Sequence, residues 1–86
     1  MITKSQIAEN ISAYLQHKIS LKELVLWAEN AQMEGNYDDN DFEVINESLS
    51  RIGVADVENF ELLFEDYEKI LHDLGYKMLV EIKPAA

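Results

Sequence analysis

The side chains best suited to bond-making chemistry are His17 and His72, and neither falls in a catalytic spacing. Each lies near the end of an expected helix, where the helix dipole alone favours an imidazolium. His72 and Asp73 are sequence neighbours, and adjacent residues on a helix do not face each other. Ser12, Ser20, Ser48 and Ser50 fall in helical or capping contexts, without the tight elbow that exposes a nucleophilic serine. The chain has no cysteine, which excludes disulfides, thiol catalysis and Cys-ligated zinc or iron–sulfur sites. Its three glycines are each placed to stop a helix, so no glycine-rich loop cradles a phosphate. Carboxylates are plentiful, but with 17 Asp and Glu the closeness of any two says almost nothing about acid–base catalysis. The expectation is a chain that is no enzyme and carries no cofactor.

One segment has the outline of a metal loop. Read from Asn36, the stretch NYDDNDFEVINE puts Asn36, Asp38, Asn40 and Glu47 at the first, third, fifth and twelfth positions of a calcium-binding EF-hand loop. Asp41 stands where that loop needs glycine, Glu43 where it docks an apolar residue, and Asn36 where it opens on Asp. A simpler reading is a helix start, with Asn40 and Glu43 in a capping pattern and acids at the positive end of the dipole. No metal site is expected.

Charge points to the class of partner. Seventeen acids against seven Lys and Arg give a formal charge of −10. The excess is concentrated in residues 29–73, while both flanking stretches are slightly positive. Contact with a nucleic acid rests on Lys and Arg, and an interfacial membrane helix usually carries them on its polar face. Neither partner is therefore expected. The run Asp56, Glu58, Glu61, Glu65, Asp66 and Glu68 reads either as a solvated face or as a docking surface for a basic protein. On the second reading Glu58, Glu61, Glu65 and Glu68 are the expected contacts.

The elements that position these residues follow from apolar spacing. An 86-residue chain that is 48% apolar supports one modest core, with function on its surface, in a groove or at an interface. Ile7, Ile11, Tyr14 and Leu15 make one stripe of a helix over about residues 4–18, capped by Thr3 or Ser5. Ser20 with Glu23 forms a capping box that starts a second helix. Its buried stripe is Leu21, Leu24, Val25, Ala28 and Ala31, and Gly35 stops it. Phe42, Ile45, Leu49 and Ile52 mark a third helix over about 41–52, ended by Gly53. Residues 54–62 read equally as a short turn or as the beginning of a longer helix. A fourth helix over about 63–74 turns Phe64, Tyr67, Ile70, Leu71 and Leu74 inward and stops at Gly75. Trp27, Phe42, Phe60, Phe64 and Tyr67 read as core aromatics rather than as a peptide groove.

The C-terminal stretch changes period. Tyr76, Met78, Val80 and Ile82 alternate with Lys77, Leu79, Glu81 and Lys83, which predicts a short strand. No second strand is evident, and a lone strand leaves its backbone groups unpaired. The segment therefore reads as an extended tail over the helices, as a strand pairing with a second subunit or a partner, or as a strand beside residues 1–4. Met78, Val80 and Ile82 are its candidate contacts. The expected fold is mainly α: a four-helix, bundle-like single domain over residues 1–83 with a short C-terminal β-strand, and a frayed end over 84–86.

The stretch SLKELVLWAENAQMEGNY, residues 20–37, resembles a group of small, acidic, helical bacterial proteins that carry Trp-Ala-Glu-Asn-Ala followed by Met-Glu-Gly. RIGVADV at 51–57 and EDYEKILHDLGY at 65–76 fit the same pattern. The resemblance implies a bacterial source and a helical fold, and transfers no functional residue. Size and charge are also similar to those of the immunity proteins of bacterial nuclease toxins, but the tyrosine-containing recognition motif of that family is missing. No apolar run approaches the ~20 residues of a membrane helix. The opening MITKSQIAEN lacks the features of a secretory signal, so a cytoplasmic protein is expected. The functional expectation is an acidic, inhibitor- or antitoxin-like partner of a basic protein. The alternative is a homodimeric module joined through its C-terminal strand.

Overall fold

The computed structural model describes residues 1–85. It contains four helices: α1, Lys4–Leu15; α2, Leu21–Glu34; α3, Phe42–Ile52; and α4, Phe64–Asp73. A single 3-10 turn, Asp39–Asp41, leads into α3.

Local chemistry fixes the helix starts. Thr3 and Gln6 form a full capping box: the Gln6 N–H donates to Thr3 Oγ1 at 3.2 Å and the Thr3 N–H to Gln6 Oε1 at 3.0 Å. Ser20 and Glu23 repeat the arrangement, with both bonds at 3.1 Å. Such a cap contributes about 1 kcal/mol. Helix α1 ends at Leu15, short of the expected Lys18, because the chain turns through His17 in the left-handed region at φ 60°. Gly35, at φ 64°, stops α2 as expected.

The expected Asn40–Glu43 cap is not formed. Asp38 Oδ1 instead accepts from the Asn40 N–H at 3.1 Å, which holds the 3-10 turn, and Asp41 stands at the N-cap of α3 without a side-chain hydrogen bond. The N-terminus is stapled beside this turn. The Ile2 N–H donates to Asn36 O at 2.7 Å and the Asp38 N–H to Ile2 O at 2.9 Å, an isolated parallel bridge between Ile2 and Tyr37. Both side chains are buried.

The core is one cluster. Ile7 and Ile11 of α1 meet Leu24, Ala28 and Ala31 of α2 and Ile45, Leu49 and Ile52 of α3, and Tyr67, Ile70, Leu71 and Leu74 close it from the α4 side. Helices α2 and α3 make the most extensive contact. Gly53 permits their close approach: a Cβ there would lie 2.9 Å from Gln32 Oε1, while Gln32 Nε2 donates to Ser50 Oγ at 3.1 Å.

The ambiguous stretch resolves as consecutive turns from 53 to 59, followed by irregular chain to Leu63. Asn59 adopts φ 73° there. Phe42, Phe60 and Phe64 were expected in the core but are half or more exposed; Tyr67 is buried and Trp27 is partly packed against the cluster. Phe42 and Phe64 are the first residues of their helices, and Phe60 lies in the irregular segment. All three therefore sit outside the stretches where the helices cover one another.

The short C-terminal strand is not present. Gly75, at φ 89°, terminates α4 in a Schellman motif, with the Gly75 N–H donating to His72 O and the Tyr76 N–H to Leu71 O. Residues 76–85 then run without secondary structure. A strand needs a neighbour for its N–H and C=O groups, and Ile2 of the N-terminal segment is already hydrogen-bonded to residues 36 and 38. Of the expected end over 84–86, Pro84 and Ala85 carry no secondary structure, and Ala86 lies outside the described residues. No helix among the described residues is long and apolar enough to cross a membrane.

Candidate functional site

The acidic run divides between two settings. Glu58 and Glu61 lie in the irregular segment before α4, and Glu65 and Glu68 lie on α4 itself. Only Glu65 and Glu68 therefore feel the like-charge penalty of a shared helix, a few tenths of a kcal/mol; Glu61 precedes the helix. All four are exposed. Among the described residues none of the four makes an ion pair, whereas Arg51 pairs with Asp66, Lys69 with Asp73 and Lys4 with Asp41.

Asp66 belongs to the scaffold rather than to this face. Its Oδ2 accepts from the Leu63 N–H at 2.7 Å and its Oδ1 lies 3.6 Å from Arg51 Nη2, which ties the start of α4 to the end of α3. Beneath it Tyr67 packs against Tyr14, with ring centroids 5.4 Å apart. Burial, then the neighbouring Tyr14 and the Asp66 carboxylate, push the Tyr67 hydroxyl up to about 12. The acidic side chains of α4 thus stand on a helix anchored by buried Tyr67, packed against the partly buried Tyr14, and by one ion pair.

Two open grooves frame the acids. Glu65 and Glu68 line one of about 380 Å³ together with His72, Tyr76, Lys77 and Met78. Glu61 lines another of about 450 Å³, between α3 and the irregular segment, with Glu47, Arg51, Val54, Phe60 and Asp66. The structure thus places Met78 beside Glu65 and Glu68, sets Glu61 in a separate groove, and leaves Glu58 in neither. Met78 packs partly against the core, while Val80 is 69% and Ile82 91% exposed. Val80 faces a third groove, of about 520 Å³, with Phe64, Leu71, Met78 and Leu79.

Sequence reasoning missed the apolar side chains that accompany these acids. Val57, Phe60, Leu63 and Phe64 are all exposed and interleave with Glu58, Glu61 and Glu65 along the chain. For Val57, Phe60 and Leu63 the available signal was their place outside any continuous helical stripe; Phe64 fits the stripe of its helix and gave no such signal. The remaining chemistry is sparse: His72 is solvent-exposed, with Nδ1 3.9 Å from Asp73 Oδ1, and His17 is exposed in the turn after α1. The arrangement is suited to contact with a cationic and partly apolar surface. Compared with protein-family models, with curated proteins and with solved structures, the chain finds no match in any of the three.

Proposed function

We propose that the chain is a non-enzymatic, acidic protein-interaction module that docks a basic protein, in the manner of an inhibitor or antitoxin. One observation carries the reading: Glu58, Glu61, Glu65 and Glu68 are exposed, free of ion pairs among the described residues, and interleaved with exposed Phe60, Leu63 and Phe64. A surface serving solubility alone needs the carboxylates but gains nothing from the phenylalanines, which expose apolar area. A partner presenting Lys or Arg among apolar side chains satisfies both. The same reading makes the chain a cytoplasmic member of a small, acidic, helical bacterial family, with neither nucleic acid nor membrane as its partner.

The test is kinetic. A protein captured on the wild-type chain from a bacterial lysate is purified, and its association is measured for the wild type and for a variant with Glu58, Glu61, Glu65 and Glu68 changed to Gln. The reading expects a basic partner whose association slows at least roughly tenfold in the variant and with added salt, while dissociation changes less. An association rate indifferent to both changes removes this face from the function.

A further inference from the structure

The tail beyond Gly75 has the composition of a strand and no strand partner. Leu79 is 83% exposed, Val80 and Ile82 more than two thirds, and residues 76–85 join no ladder. Glu81 and Lys83 form an ion pair at 3.5 Å. Side chains two residues apart meet in this way when the backbone between them is extended and both point to one side.

We propose that residues 76–82 pair antiparallel with the same residues of a second copy of this chain, centred on Leu79, and become a strand only in that dimer. The register follows from the side chains. An antiparallel pairing centred on Leu79 sets Lys77 opposite Glu81 twice, Met78 opposite Val80 twice, Tyr76 opposite Ile82 twice, and Leu79 opposite itself. Opposite charges, aromatic with β-branched, and apolar with apolar are the pairs that stabilise a ribbon.

Neighbouring registers lose these pairs. Centring on Lys77 or on Val80 sets Lys opposite Lys, centring on Glu81 sets Glu opposite Glu, and centring on Met78 sets Lys77 opposite Leu79. A slip by one residue places the apolar row of one copy beside the charged row of the other.

The two-fold arrangement is isologous, the commonest form of homodimer contact. It also fills space each copy leaves open. Phe64, Leu71 and Met78 line the groove beneath the tail. The paired register lays Val80 of the partner subunit beside Met78, on the face of the ribbon that covers this groove. Lys77, which has no ion pair among the described residues, gains one. The proposal does not depend on the acidic face.

The chain has no cysteine, so single cysteines report the register directly. Sedimentation and light scattering of the wild type should give a mass twice the 9.9 kDa of the chain. Leu79→Lys, at a site exposed in the single chain, should return it to monomer with unchanged helix content. Lys77→Glu and Glu81→Lys should each weaken the dimer at least roughly tenfold, and the double swap should restore it. Under mild oxidation Leu79→Cys should cross-link faster than Lys77→Cys or Glu81→Cys, since only residue 79 faces its own copy. A wild type that stays monomeric at high concentration overturns the proposal. So does a dimer that survives Leu79→Lys, one that the charge swap fails to rescue, or cross-linking equal at all three positions.

Discussion

Alkaline pH offers a direct probe of how α4 is held, because the Tyr67 hydroxyl sits at about 12 rather than 10.0. Tyrosine ionises by losing a proton, so a raised value means that the folded chain keeps that proton more firmly than the unfolded chain. The associated stability is complete below pH 10 and is lost as pH rises towards 12. A shift of that size corresponds to up to about 3 kcal/mol, a large part of the roughly 5–15 kcal/mol of a small domain. General repulsion on this acidic chain also grows with pH, so the comparison must be internal. Urea unfolding of the wild type and Tyr67→Phe across pH 8–12 isolates the hydroxyl. The wild type should lose on the order of 2–3 kcal/mol more than the variant over this range. Absorbance of the folded protein near 295 nm should show a late-ionising tyrosine that the variant lacks. Parallel loss of stability in both proteins would refute a buried, proton-retaining Tyr67, and with it the account of what anchors the acidic helix.

Other outcomes follow from local geometry. Gly53 has φ −63° and ψ −16°, which alanine adopts freely, but the new Cβ would lie 2.9 Å from Gln32 Oε1. Moving Gln32 aside forfeits its bond to Ser50, so Gly53→Ala should destabilise by about 1 kcal/mol in urea unfolding and should cost less in a Gln32→Ala background. His17 holds a left-handed conformation with its side chain in solvent; His17→Gly should therefore stabilise by roughly 0.5–1 kcal/mol and raise Tm by several degrees. Ser20→Ala removes one half of the α2 capping box and should cost about 1 kcal/mol by thermal unfolding.

What was legible in the sequence was whatever a few neighbouring residues decide among themselves. The Ser20–Glu23 box, the left-handed Gly35 and the inward set Ile45, Leu49 and Ile52 depend on contacts within one or two helical turns or on one dominant face. What was not legible depends on where a second element happens to end. Phe42 and Phe64 fit the apolar spacing of their helices, yet each stands at a first residue where no other helix covers it. Asp66 reads as one acid among many until the approach of Arg51 and the free Leu63 N–H give it partners. The Ile2–Tyr37 bridge leaves no local trace, because its residues are brought together only by the path of the two helices between them. The alternation of residues 76–83 is legible as a strand pattern, but the single chain forms no strand there and the segment runs as an extended tail, since alternation specifies a backbone preference and cannot supply the ladder that satisfies it.

The division of labour within the fold follows from the same contrast. Helices α1–α3 share the most extensive contacts between elements. Glu65, Glu68 and the tail hang from α4, and Glu58 and Glu61 lie in the segment that leads into it; the attachment of α4 rests on Tyr67, Ile70, Leu71, Leu74 and the Arg51–Asp66 pair. The two proposed surfaces then separate by their response to salt. Docking of a basic protein on Glu58, Glu61, Glu65 and Glu68 acts through exposed charge and weakens as the Debye length falls to ~3 Å in 1 M salt. A ribbon centred on Leu79 also buries apolar side chains, so under the same conditions the dimer should weaken less than docking on the acidic face, losing only what its Lys77–Glu81 pairs contribute. If both surfaces operate, the dimer presents two copies of the acidic face to one partner, and the gain in avidity disappears in Leu79→Lys while the affinity of a single face stays unchanged. Salt that dissolved the dimer and the partner complex together would mean that charge alone holds both.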